Sequence, residues 1–299
     1  MNKRVYGVIG ISSIMANWNA DFSGYPKTIS DGRTFGSDKA LKYPMKKMWE
    51  NEGKKVLYIK SMKFAEKKGE VSLIPRSLKE RYDFLFGETT KKEAKDTKKV
   101  LCNLMAAVDV KNFGATYAGA VQIGQGFNVY DMTEPQEQQI LSPFRDSKDE
   151  DAKNSTLGTK IVSDEAHYLY PFVINPAAYQ ELVELGVTEG YTQEDYLNFK
   201  RTALVCATSF ATNSKAGCEN EFALFVETKQ DTYLPDLTTY VMFEKGEEKN
   251  SISVSCGELL KELSENILSV EVYYNPDTTI LKHNLETVKI RNILTQKEM

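Results

Sequence analysis

Lys39, Lys42, Lys46 and Lys47 recur at three- and four-residue spacing. On a helix that spacing brings Lys39, Lys42 and Lys46 to one face, while Leu41, Met45, Met48 and Trp49 fall opposite and can meet a sheet. Arg33 and Lys27 stand in the segment just before. A basic stripe beside a helix N-terminus suits an extended phosphate backbone; the plainer alternative is a solvated lysine face. A second group, Thr212-Asn213-Ser214-Lys215-Ala216-Gly217, gathers small residues, an amide and a cation. Such a loop can donate several hydrogen bonds to phosphate or ribose, or be an ordinary helix-to-strand connection.

Other chemistries find little footing. The four cysteines (Cys102, Cys206, Cys218, Cys256) lack metal-ligand spacing and read as reduced thiols. His167 and His283 lie far apart in sequence, and a satisfied or surface histidine is the default for each. No P-loop or G-x-S-x-G elbow occurs. The run Val5 to Met15 imitates a dinucleotide-binding first strand, but Ser12 and Met15 replace the second and third glycines and a loop follows where a helix should start. An NAD-binding oxidoreductase is therefore carried only as a second alternative. No catalytic residue, metal or cofactor is assigned.

The formal net charge of -4 argues at first against nucleic acid, yet the charge is unevenly spread. Residues 1–100 hold 22 Lys+Arg against 12 Asp+Glu, and the remaining residues hold 16 against 30. One face can thus attract phosphate while another meets basic partners or maintains solubility. No stretch approaches the ~20 apolar residues of a membrane span. The apolar N-terminus lacks a small-x-small cleavage site and reads as a first strand, so a soluble, cytoplasmic protein is expected.

The positioning elements follow from pattern. Arg4 to Met15 reads as a buried strand, residues 16–36 as a loop rich in turn formers, and Ser37 or Asp38 as the cap of a helix to about Asn51, with a kink or late start at Pro44. Val56 to Phe64 alternates as a second strand. Residues 65–100 are polar with helical pieces, and 100–108 continues helical. Ala120 to Tyr130 is a strand, 131–160 a loop, and Tyr168 to Ile174 a strand. Thr192 caps a helix through Ala207, and Glu221 to Thr228 is a strand. Beyond it, strands are expected over 238–243, 252–255 and 269–274, and a helix over 257–266. The strongest elements give β-α-β-β-α-β, an α+β fold of ferredoxin-like or RNA-recognition type.

Several short segments, in order, resemble the Cas-seven family of CRISPR-associated backbone subunits, within the repeat-associated mysterious protein superfamily, and most of all its type I-B (Cascade) form. They are Asn17-Trp18-Asn19-Ala20-Asp21, the run from Asp31 to Lys42, Asp109-Val-Lys-Asn-Phe113-Gly114, Gly119-Ala-Val-Gln122, Thr156-Leu-Gly158 and Asn213-Ser-Lys-Ala-Gly217. They span roughly residues 4–228.

The resemblance implies a right-hand shape, with an RNA-recognition-type palm, inserted fingers and a thumb that touches the next copy. The palm would comprise 1–64, 109–130 and 163–228, the fingers mainly 65–108, the thumb 131–162, and 229–299 would be a C-terminal extension packing on the palm. The implied partners are crRNA, further copies of the chain, other Cascade subunits, and target DNA pairing with the guide. Arg33, Lys39, Lys42, Lys46, Asn213, Ser214 and Lys215 fall where the family holds RNA, with Lys111 and Gln122 as further positions and Thr156 and Leu157 at the thumb contact. The enzymatic alternative is type III-like RNA cleavage by a loop aspartate, Asp21 or Asp31.

Overall fold

The computed structural model describes residues 1–88, 90, 95–115, 117–141, 143–144 and 157–299. In chain order, β1 (Lys3–Ala16) leads through a long loop to β2 (Phe35–Gly36) and α1 (Asp38–Asn51). Then come β3 (Met62–Lys67), β4 (Glu70–Pro75), α2 (Leu78–Phe86), α3 (Thr97–Met105), α4 (Val108–Phe113), β5 (Val121–Ile123), β6 (Gly126–Asn128), β7 (Pro135–Leu141) and β8 (Leu157–Ile174). The chain continues through α5 (Gln180–Glu184), α6 (Gln193–Val205), β9 (Cys218–Lys229), β10 (Val241–Glu244), β11 (Asn250–Val254), α7 (Gly257–Glu262), β12 (Ile267–Tyr274), β13 (Thr279–His283) and β14 (Lys289–Asn292).

Among the described residues nine strands share one sheet, in the order β14-β12-β9-β1-β8-β6-β2, with β5 and β7 also on β8. β1 runs antiparallel to both β8 and β9. Its apolar run is buried on both faces, as its near-continuous Val/Ile pattern requires: Val5, Ile9 and Ile11 join the core beneath α1 and α6, whereas Tyr6 and Val8 face the other way. Leu41, Met45 and Trp49 of α1 pack in the first core beside Phe199 and Leu204 of α6. The opposite face is covered by a three-stranded sheet, β10-β11-β13, by the 3-10 turn before β10 and by α7, through Leu237 of the turn and Val241, Ile252, Val254 and Leu260. β12 and β14 extend the large sheet beyond β9.

The caps behave as their residue types require. Ser37 Oγ accepts from Ala40 N at the start of α1, which runs on through Pro44. Thr192 and Asp195 form a reciprocal capping box on α6.

Three expectations are corrected. The strand expected over 56–64 begins only at Met62 and pairs with β4 in a separate hairpin. Asp109 supplies the reason: its carboxylate accepts from Leu57 N at 2.8 Å and Tyr58 N at 2.7 Å, while the Arg81 guanidinium donates to Val56 O, so side chains satisfy groups that a ladder would otherwise take. The strand that follows α1 in the large sheet is instead β5 and β6. The loop expected over 131–160 contains β7, paired with β8 from Pro135↔Ser163 to Leu141↔Leu157.

Candidate nucleic-acid interface

Asn19 anchors the loop after β1 to the start of α1. Its Nδ2 donates to Phe35 O at 3.2 Å, and its Oδ1 accepts from Ser37 Oγ at 3.1 Å. From that start α1 presents its lysines along one side. Lys39 is exposed. Lys42 Nζ lies 2.8 Å from Asp38 Oδ2 and above the Phe113 ring. Lys46 Nζ donates to Tyr58 O at 3.1 Å, and burial, helped by the charges of Lys42 and Lys39, lowers its pKa against the pull of Asp109.

The 212–217 loop meets the same end of the sheet. Asn17 N donates to Ser214 O and Ile14 N to Gly217 O, both at 2.9 Å. Gly217 has φ +102°, and a Cβ there would sit 2.2 Å from Ile14 O, so a side chain would force the loop off β1. Lys215 Nζ donates to Asn17 O at 2.7 Å and to Trp18 O, over the Trp18 ring. Burial pushes the Lys215 pKa down to about 8. Lys215 thus clamps the loop, while Asn213 and Ser214 project to solvent. Tyr43 of α1 packs edge-on against Phe210, with ring centroids 5.5 Å apart, linking the loop's approach to the lysine-bearing helix.

The remaining sequence candidates are distributed differently. Arg33 is exposed, 3.6 Å from Asp31 and stacked above Phe127. Lys111 lies 3.0 Å from Asp195 and 3.5 Å from Glu189, which ties α4 to the first turn of α6. Gln122 donates to Gly119 O and lines a cavity of about 320 Å³ with Tyr6, Pro171 and Leu234, on the sheet face away from α1. Thr156 lies outside the described residues, and Leu157 opens β8. Asp21 Oδ1 accepts from Ser23 N, Ser23 Oγ and Tyr25 N, and Asp31 Oδ1 from Arg33 N; both close turns. The Asp21 turn holds the ring of Phe22 wholly in solvent, a feature the residue-by-residue reading passed over. An aromatic set among turn formers was the available signal. No group of three or more His, Cys, Asp or Glu is placed to hold a metal among the described residues, and no helix among them is long and apolar enough to cross a membrane.

With that geometry in place, the chain matches the family model for CRISPR-associated protein Cas7 over residues 3–258. It belongs to the Cas7 family. The match takes in both loop groups and α1 and ends within α7, leaving β12 to β14 beyond it. Among solved structures, a chain of a "CRISPR RNA-guided surveillance complex, pre-nicking" superposes with a TM-score of 0.53 at 13% identity, covering 95% of this chain and 96% of that one. A chain of a second "CRISPR RNA-guided surveillance complex" gives a TM-score of 0.43 at 13% identity, covering 89% and 88%. No curated protein matches in sequence. The first superposition shows a fold shared over nearly the full length of both chains.

Proposed function

We propose that this Cas7 chain is a crRNA-binding backbone subunit of a type I-B surveillance complex in the cytoplasm, gripping the guide's sugar-phosphate chain without reading its sequence. The observation that carries this is the convergence of the α1 lysine face and the 212–217 loop at one end of the sheet in a Cas7-family chain. Contacts to phosphate and ribose carry no sequence information, so base pairing with target DNA is left to provide specificity. Further copies of the chain and other Cascade subunits are its partners in that reading.

The antiparallel run β9-β1-β8-β6, with α1 following β1 and α6 between β8 and β9, supports a ferredoxin-like palm. RNA-recognition folds commonly stack bases on the sheet's open face. Here β10-β11-β13 covers that face, which favours a groove along the helix and loop end. The exposed ring of Phe22 offers a stacking surface beside it. The β3-β4 hairpin with α2 and α3 is assigned to the fingers, and β7 with the first part of β8 to the thumb. Asp21 and Asp31, each engaged in its own turn, favour binding over cleavage.

Reversing Lys39, Lys42 and Lys46 to glutamate together tests the grip. The salt dependence of RNA binding should flatten by about 2 in log-log slope, since each phosphate contact to a single strand contributes ~0.7. Unchanged affinity and slope across a salt series would remove α1 from the groove.

A further inference from the structure

His167 is 1% exposed, yet both its ring nitrogens face carboxylates. Nδ1 lies 2.8 Å and 3.0 Å from the two Glu221 oxygens, and Nε2 lies 3.0 Å from Glu165 Oε1. A carboxylate only accepts, so satisfying both requires an imidazolium that donates from each nitrogen. The ring stacks on Phe243 of β10 at 3.8 Å between centroids, and Tyr130 meets it edge-on at 6.0 Å. Lys245, at the end of β10, holds Glu165 at 2.6 Å. The cluster therefore joins β8 and β9 of the large sheet to the three-stranded sheet covering it. We propose that His167 is a proton-operated clasp fastening the β10-β11-β13 sheet to the large sheet, closed when the imidazole is charged and loosened when it loses a proton.

The surroundings favour the closed form. Around the adjoining cavity of about 370 Å³ stand Glu219 from β9, Glu247 and Glu248 from the β10-β11 turn, and Asp277 from the β12-β13 turn, against Lys245 as the nearby cation. Burial alone would lower the imidazole pKa; Glu221 and then Glu165 outweigh it, and the net direction is upward. A histidine with a raised folded-state pKa contributes stability that is complete below its unfolded value of about 6.5 and is lost as pH rises through the folded value. Loss of the proton leaves a lone pair facing a carboxylate, and the Phe243 ring of β10 loses the cation stacked against it, so that Lys245 on Glu165 remains as the charged link to the large sheet.

The chain has two histidines, so His283→Gln, an exposed substitution, leaves His167 as the only imidazole. The expected NMR titration of that variant shows the imidazole signal keeping its protonated shifts to higher pH than an ordinary imidazole near about 6.5. Amide exchange over 241–248, corrected for intrinsic base catalysis, should accelerate as that signal titrates, while β1 stays protected. His167→Gln should melt at least about 2 °C below wild type at pH 6, with the gap closing as the pH rises through the folded-state titration of His167. Comparing the two proteins cancels Lys215, whose pKa burial lowers to about 8. An imidazole titrating near 6.5, or 241–248 exchange indifferent to its titration, would overturn the clasp. Both readouts come from a protein that retains His167, so misfolding of His167→Gln leaves the test intact.

Discussion

Lys39 and Lys215 carry the same charge at the same end of the molecule but meet different surroundings. Lys39 stands in solvent, whereas Lys215 donates to the carbonyls of Asn17 and Trp18 and holds a loop against β1. Lys39→Ala should change folding stability by less than about 0.5 kcal/mol and flatten the RNA salt slope by about 0.7. Lys215→Ala should cost about 1–3 kcal/mol in urea denaturation, because two buried carbonyls lose their donor, and should weaken RNA binding by releasing Asn213 and Ser214. Phe22 gives a third contrast. Its ring packs against nothing, so Phe22→Ala should leave the melting temperature unchanged and weaken single-strand binding by about 1–3 kcal/mol if a base stacks there. Equal affinity for an oligonucleotide and its abasic counterpart would remove Phe22 from the interface.

At the scale of elements, Asp109 decides what residues 56–60 become. Asp109→Ala should destabilise the protein by about 2–3 kcal/mol, since two backbone amides lose a charged acceptor; chemical denaturation would show it. The same residue explains why the segment was misread, for its apolar alternation is real while the competing partner lies some fifty residues away. β1, α1 and α6 were legible because their causes are local: an unbroken apolar run, a serine cap and a Thr192–Asp195 box. β7 and the β3-β4 hairpin were not, because strands exposed on both faces carry no alternation. The site divided along similar lines. The lysine spacing on α1 and the polar loop at 212–217 could be read directly, but the inward turn of Lys215 and the pairing of Lys111 with Asp195 arise from packing. Nothing near His167 in the chain announces Glu221.

For the molecule as a whole, the contrast between the basic first hundred residues and the acidic remainder gives the acidic pI of about 5.5 a structural sense. The N-terminal third contributes the lysine face of α1 and the β3-β4 hairpin, while acidic residues of β9 and the later turns gather around the 370 Å³ cavity. Charge reversal within that acidic group should disturb assembly while sparing the RNA salt slope, which the proposed grip assigns to the α1 lysines. Assembly on RNA is the claim on which the rest depends. Size-exclusion chromatography with light scattering and absorbance at two wavelengths, on the chain co-expressed with a guide RNA, measures it most directly. The expected result is a particle of several copies that carries nucleic acid and shrinks when Lys39, Lys42 and Lys46 are reversed; a nucleic-acid-free monomer at physiological salt would contradict it.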